Sequence, residues 1–423
     1  MFYKCYVSVL LIISLLSGFS GNAMVAVNGL KADSSALKSS LGTTAVYPYD
    51  QYNALNFKEQ KGIWITYLEF QSILKNKTKE QFTDSIGKYF DNAKGMGINT
   101  VYVHVRAFGD AYYHSELFPS TDNYNGTFGA KPAFDALEVM LKEAHDRGLS
   151  FHAWVNPMRL MSDDEMKALP NSYTVKKWYN SDTYRGHYIV KSGNRWYFNP
   201  AYTAVRNLIA DGIAEIIRGY HVDGIQIDDY FYPTTAASFD SAAYKASKTT
   251  LSLSDWRIRN VNGMVRQLYR TIKESNPTVV FGISPQGSVE NNYKELYADV
   301  KTWVTSPGYC DYILPQIYYG FENGHLPYER TCREWRDMVT RKDVQLVFGL
   351  AAYKIGAADN YAGTGRSEWL NNSDIIARQI QYSKTLEKYG GYAIFRYDSL
   401  FNPPASVAKQ AETELANIKR LNN

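Results

Sequence analysis

The chain has 423 residues, 45% hydrophobic and 21% charged, with 46 Lys and Arg against 42 Asp and Glu. This composition supports a sizeable core and excludes a disordered chain. A net charge of only +4, with no basic run, argues against a nucleic-acid partner.

In chain order, Lys4, an apolar stretch over 7–16 and the small residues Gly18, Gly21, Ala23 and Ala26 predict a cleavable signal peptide over 1–26. An uncleaved anchor is the competing reading, but the apolar stretch is short of the roughly 20 residues that span a bilayer. A polar, flexible lead is expected over 27–60, and a folded domain over 61–420. Short apolar runs follow at 63–68, 98–105, 149–155, 222–227, 278–284, 311–318, 345–353 and 391–397. Helical spacing lies between them, over 79–94, 134–148, 202–219, 254–275, 326–340, 373–388 and 403–418.

Fully apolar strands alternating with amphipathic helices describe a parallel sheet covered by helices. Eight such units predict an α/β fold, a (β/α)8 TIM barrel, over a doubly wound open sheet, because no glycine-rich dinucleotide turn follows the first strand. The surplus length falls after strand ends, at 106–132, 156–200 and 228–254. These long inserted loops therefore sit on the C-terminal face, where barrels build active sites.

The fourth strand ends in DGIQIDDYFYP, which places Asp228 and Asp229 at the barrel mouth and Asp223 at the opposite end, where a structural task is expected. Adjacent carboxylates repel, so one can hold its proton while the other ionises, as glycoside hydrolysis requires. Loop capping or ion pairing is the alternative. Other strand ends supply Arg106, Asp110, Asn156, Arg159, Gln316, Tyr318, Tyr353, Lys354, Arg396 and Asp398, suited to gripping hydroxyls or merely to satisfying loop carbonyls.

Aromatic residues crowd the inserted loops, at Tyr112, Tyr113, Trp196, Tyr197, Tyr230, Phe231 and Tyr232, and suit either sugar stacking or loop packing. An imine on Lys354 is disfavoured by acids that would raise its pKa. No Cys/His spacing indicates a metal, and no cofactor is expected. Cys310 and Cys332 read as inert or optionally paired thiols.

Taken together, the ordered segments GIWITY, NTVYVHVRAFGDAYYHSELFPST, EAHDRGLSFHAWVNPMR, YFNPAYTAVRNLI, VDGIQIDDYFYP, FGISPQG, CDYILPQIYYG and FGLAAYKIG resemble the glycosyl hydrolase-like 10 family. The resemblance implies an exported (β/α)8 glycosidase acting on a polysaccharide, namely cell-wall glycan, including peptidoglycan strands stripped of their peptides. Its motif acids fall on Asp223, Asp228 and Asp229. Its other motifs mark Arg106, Gly109, Asp110, Asn156, Arg159, Gln316, Tyr318, Tyr353 and Lys354 as site lining, with Ala107 where the family often has proline. The chitinase pattern DGxDxDxE is similar, but its proton-donating glutamate position is Tyr230 here.

The expectation is thus a secreted or envelope-associated, monomeric glycosidase without stable membrane insertion after signal cleavage. Asp228 is its general acid, and Asp229 or Asp110 the second carboxylate. Arg106, Asn156, Arg159, Tyr230, Gln316, Tyr318, Tyr353, Lys354 and Arg396 hold substrate. A carbohydrate-binding barrel without turnover is the alternative.

Overall fold

The computed structural model describes residues 52–422, so the expected signal peptide lies outside the described residues. Eight parallel strands close a barrel: β1 Gln60–Ile65, β2 Thr100–Arg106, β3 Ser150–Val155, β4 Gly224–Ile227, β5 Val280–Ile283, β6 Tyr312–Ile313, β7 Gln345–Ala351 and β8 Tyr389–Phe395. Each strand pairs with the next, and β8 pairs back to β1.

Helices cover the outside: α1 Lys79–Gly95, α2 Ala136–His145, α3 Thr203–Gly219, α4 Leu253–Ser275, α5 Val300–Thr305, α6 Tyr328–Met338, α7 Ile375–Lys384 and α8 Ala408–Asn422. Local chemistry sets their ends. Thr78 and Gln81 form a capping box at the start of α1, and Asp135 accepts the Glu138 N–H at 3.0 Å to open α2. The apolar stripe of α2, Leu137, Met140, Leu141 and Ala144, is buried as its spacing predicts. Each large aliphatic side chain so buried contributes about 1.5–3 kcal/mol.

Inside the barrel, alternate residues form a separate cluster of Trp64, Tyr102, Trp154, Tyr312, Leu314, Val347 and Ala393. Room for the rings comes from glycine. A Cβ at Gly62 would lie 2.4 Å from the Tyr102 ring, one at Gly224 2.7 Å from His152, and one at Gly282 1.7 Å from Tyr312. The polar ends of these side chains bond across the lumen: Trp64 Nε1 donates to Gln226 at 3.0 Å, and His152 and Tyr312 share a hydrogen bond at 2.8 Å.

At the N-terminal floor Asp223 has the expected structural task. It accepts from the Tyr52 hydroxyl at 2.5 Å, the Leu55 N–H at 2.5 Å, the Phe151 N–H at 2.8 Å and His145 Nε2 at 2.9 Å. Tyr52 also stacks on His221, at 4.3 Å. The lead expected to be flexible up to residue 60 is therefore fastened from Tyr52 onward.

Several elements differ from expectation, among them three near the site and a last helix over Ala408–Asn422 where 403–418 is expected. The first strand starts earlier and stops at Ile65, because Thr66 caps a helix over Tyr67–Ile73 in a capping box with Glu69. The sixth strand shrinks to two residues, Pro315 lacking the N–H a ladder needs. The loop over 156–200 folds into an antiparallel sheet of Arg159–Ser162, Ile189–Ser192 and Arg195–Phe198. Cys310 and Cys332 are buried and make no disulfide among the described residues.

Candidate active site

Strand alternation carries Asp228 inward, two residues beyond the lumen-facing Gln226, to the C-terminal mouth. It is 2% exposed, and one oxygen accepts the Tyr230 N–H at 3.2 Å. Burial first, and the neighbouring Asp229 charge second, push its carboxyl well above the ordinary value. The Trp154 indole faces it without completing a hydrogen bond.

Asp229 turns toward the ends of β5 and β6. Gln286 and Gln316 each donate a side-chain N–H to it at 3.2 Å, one to each oxygen. Burial raises its pKa too, but these two amides favour its charged form. The pair is thus divided: Asp228 lies in the drier, donor-poor position suited to holding a proton, and Asp229 in the one suited to charge.

Aromatic rings surround the pair. Phe395 at the end of β8 lies 5.9 Å from Trp64, 5.8 Å from Tyr318 and 6.0 Å from Tyr353, centre to centre. Tyr353 and Tyr230 are 47% and 41% exposed and can meet a sugar ring, Tyr230 on the face that Arg159 leaves free. Tyr112, Tyr113, Trp196, Phe231 and Tyr232 are buried and pack their loops instead.

On the opposite side, His104 stacks on Trp154 at 3.3 Å and accepts the Tyr67 N–H on Nδ1 at 3.3 Å. Burial holds the imidazole neutral, which leaves its proton on Nε2. That atom, Trp154 Nε1, Asn156 Oδ1 and Ser284 Oγ are buried and make no hydrogen bond among the described residues. An unmet buried polar group costs about 1–3 kcal/mol.

Of the residues expected here, the structure brings together Asp228, Asp229, Tyr230, Asn156, Arg159, Gln316, Tyr318 and Tyr353. Asn156 is fixed by donating to the Ala107 carbonyl at 3.1 Å, and the Arg159 guanidinium lies 3.9 Å over the Tyr230 ring.

Four expected residues are engaged elsewhere. Asp110 closes its own loop, accepting the N–H groups of Ala107 and Phe108 at 2.9 and 2.8 Å, so it is not brought to the acid pair. A register shift after His104 turns Arg106 into the helix layer, 4.3 Å over Phe118 and against Gly212 of α3. Lys354 is bound to Asp359 and to the Tyr318 carbonyl, both at 2.6 Å, so its ammonium braces the loop after β7. Arg396 is held at the rim by buried Glu69, which Thr66 also bonds.

His104, Trp154, Phe395 and Gln286 were not singled out from sequence. Gln286 had a signal: Pro-Gln follows two successive strands, at Pro285-Gln286 and Pro315-Gln316, and the two glutamines form a parallel bridge.

Comparison with known proteins gives the family and the fold. The model of the family described as Glycosyl hydrolase-like 10 matches residues 59–364. Glycosyl hydrolase YngK of Bacillus subtilis is 32% identical over 399 residues, covering 89% of this chain and 75% of that protein. Glycosyl hydrolase DigH of Escherichia coli K12 is 32% identical over 339 residues, covering 75% and 76%. Among solved structures, the PgaB (BpsB) glycoside hydrolase domain of Bordetella bronchiseptica aligns with a TM-score of 0.55 at 13% identity, covering 83% of this chain and 98% of that one. The β-amylase catalytic domain of Paenibacillus polymyxa aligns at 0.54 and 10%, covering 88% and 100%. At such identities the likeness is one of fold alone. The protein belongs to the glycosyl hydrolase-like 10 family and is a glycosidase.

Proposed function

We infer that this glycosidase is exported and cleaves bacterial cell-wall glycan, with Asp228 as proton donor and Asp229 as the ionised partner. The observation that carries the assignment of roles is the division of the pair: Asp228 is buried beside a like charge, while Asp229 is held by two amide donors. In this reading Asp228 protonates the glycosidic oxygen as the bond to the anomeric carbon breaks. Asp229 serves the positive charge that develops there, by attacking the carbon or by deprotonating the attacking water. The exposed rings of Tyr230 and Tyr353 support a cleft that receives a sugar, and the apolar stretch at 7–16 supports export to where wall glycan is met.

The test is incubation of purified protein with peptide-free peptidoglycan strands and measurement of new reducing ends. Asp228→Asn should lower release roughly 100- to 10,000-fold, the usual worth of a general acid. Undiminished release by that variant would remove Asp228 from the chemistry.

A further inference from the structure

Arg159 and Arg195 stand on the antiparallel sheet that follows β3. Their guanidinium carbons lie 4.8 and 4.0 Å from the centre of one ring, that of Phe108, and Arg159 also covers Tyr230 beside the acid pair. Two cations around one ring repel, and a folded protein ordinarily places carboxylates between them.

Here countercharge is short. Among the described residues Arg159 has no ion pair and no side-chain hydrogen bond, and its buried Nε is unmet. Among the same residues Arg195 pairs only with Glu165, at 3.8 Å, and its buried Nη1 makes no hydrogen bond. Glu165 is itself shared, accepting the Ser162 N–H at 2.6 Å. Asp228 and Asp229 feel the Arg159 charge. With Asp228 protonated, only Asp229 offsets it from that side.

We propose that Arg159 and Arg195 bind a carboxylate carried by the glycan itself, next to the scissile linkage. A guanidinium presents planar paired donors that fit a carboxylate, and Phe108 and Tyr230 hold the two groups at the mouth. The proposal rests on the cell-wall reading and deepens it. In peptide-free wall strands the carboxylate is that of the lactyl ether on muramic acid, and condensation with a peptide would abolish its charge. A uronic acid presents the same group at C6.

Calorimetric titration of the Asp228→Asn chain, in which turnover should be slow, separates these cases. The ligands are peptide-free muramyl oligosaccharides, the same oligosaccharides with their carboxylates converted to methylamides, and uronate oligosaccharides. The free acid should bind at least about tenfold tighter than its methylamide, in the range of a charge-assisted hydrogen bond. Arg159→Gln with Arg195→Gln should erase that difference, so that acid and methylamide bind the double variant alike.

Tight binding by the uronate ligand alone would support the subsite and assign it to that sugar. Equal affinity for acid and methylamide, no binding of any of the three, or discrimination that survives in the double variant would overturn the proposal. The first comparison needs no arginine variant, so it stands even where that variant misfolds. Wild-type protein that prefers the muramyl acid yet releases no reducing ends from it would sink hydrolysis of wall glycan and leave the subsite in place.

Discussion

Replacing Gln286 by methionine removes one of the two amide donors on Asp229 while keeping the length of the side chain. The Gln286 backbone N–H remains pinned to Asn292 Oδ1 at 3.0 Å, so the loop keeps its anchor. A hydrogen bond to a charged group contributes about 1.5–3 kcal/mol, and the 3.2 Å separation places this one at the low end. Since 1.36 kcal/mol corresponds to one pKa unit, the loss amounts to about one unit.

The donor favours the ionised carboxylate, so its removal raises the pKa of Asp229 further. If Asp229 must be charged to work, the acidic limb of kcat/KM against pH moves up by about one unit, while the rate on the plateau changes less. Such limbs belong to the coupled pair, and the shift is therefore read as that of the pair. Reducing-end release from wall glycan, followed from about pH 4 to 9, provides the profile. An acidic limb that stays in place, or moves down, would refute the assignment of Asp229 as the charged partner.

Two further substitutions separate stability from chemistry. Because the folded-state pKa of Asp228 lies above its unfolded value, the folded protein keeps a proton that the unfolded chain releases. The stabilisation is complete below the unfolded value of about 3.9 and is lost as pH rises through the folded value. The melting temperature of Asp228→Asn, relative to wild type, should therefore climb as pH rises above about 4, and a constant difference would contradict the burial argument. At the floor, Asp223→Asn turns one acceptor oxygen into a donor and leaves two of the four groups that donate to Asp223 unmet, for a loss of roughly 1–3 kcal/mol for each that stays buried. Urea unfolding should show that loss while activity per folded molecule stays near wild type, and a large fall in activity at full folding would place Asp223 in the chemistry.

The strand and helix alternation was legible because burial on both faces writes unbroken apolar runs, and a stripe on α2 writes its own period. Where the sequence misled, a competing local interaction decided the outcome. Thr66 and Glu69 close a capping box inside an apolar run, so β1 ends before the run does. The sheet after β3 did announce itself: Gly193-Asn194 is a two-residue hairpin turn between Ile189–Ser192 and Arg195–Phe198, with Gly193 at φ +61.

At the mouth, the adjacent aspartates could be placed from strand alternation, since nothing interrupts β4. Arg106 could not, because the register shift after His104 reverses which face it takes. Asp110, Lys354 and Arg396 show a second limit. A charged residue at a strand end is equally compatible with substrate and with a neighbour on its own loop or the next one, and here the neighbours are Ala107, Asp359 and Glu69. His104 and Trp154 escaped notice because they sit in an apolar strand pattern, although they share the inward parity of Tyr102 and His152.

The fit of Tyr102 into Gly62, His152 into Gly224 and Tyr312 into Gly282 bears on how such a protein can diversify. A methyl gained on one side of each couple demands a ring lost on the other, so the lower lumen can change only by paired replacement. The rim loops carry no such obligation. Lineages descending from this chain would then drift in sugar preference residue by residue while inheriting their lumen in matched halves, a pattern countable as co-variation at those six positions.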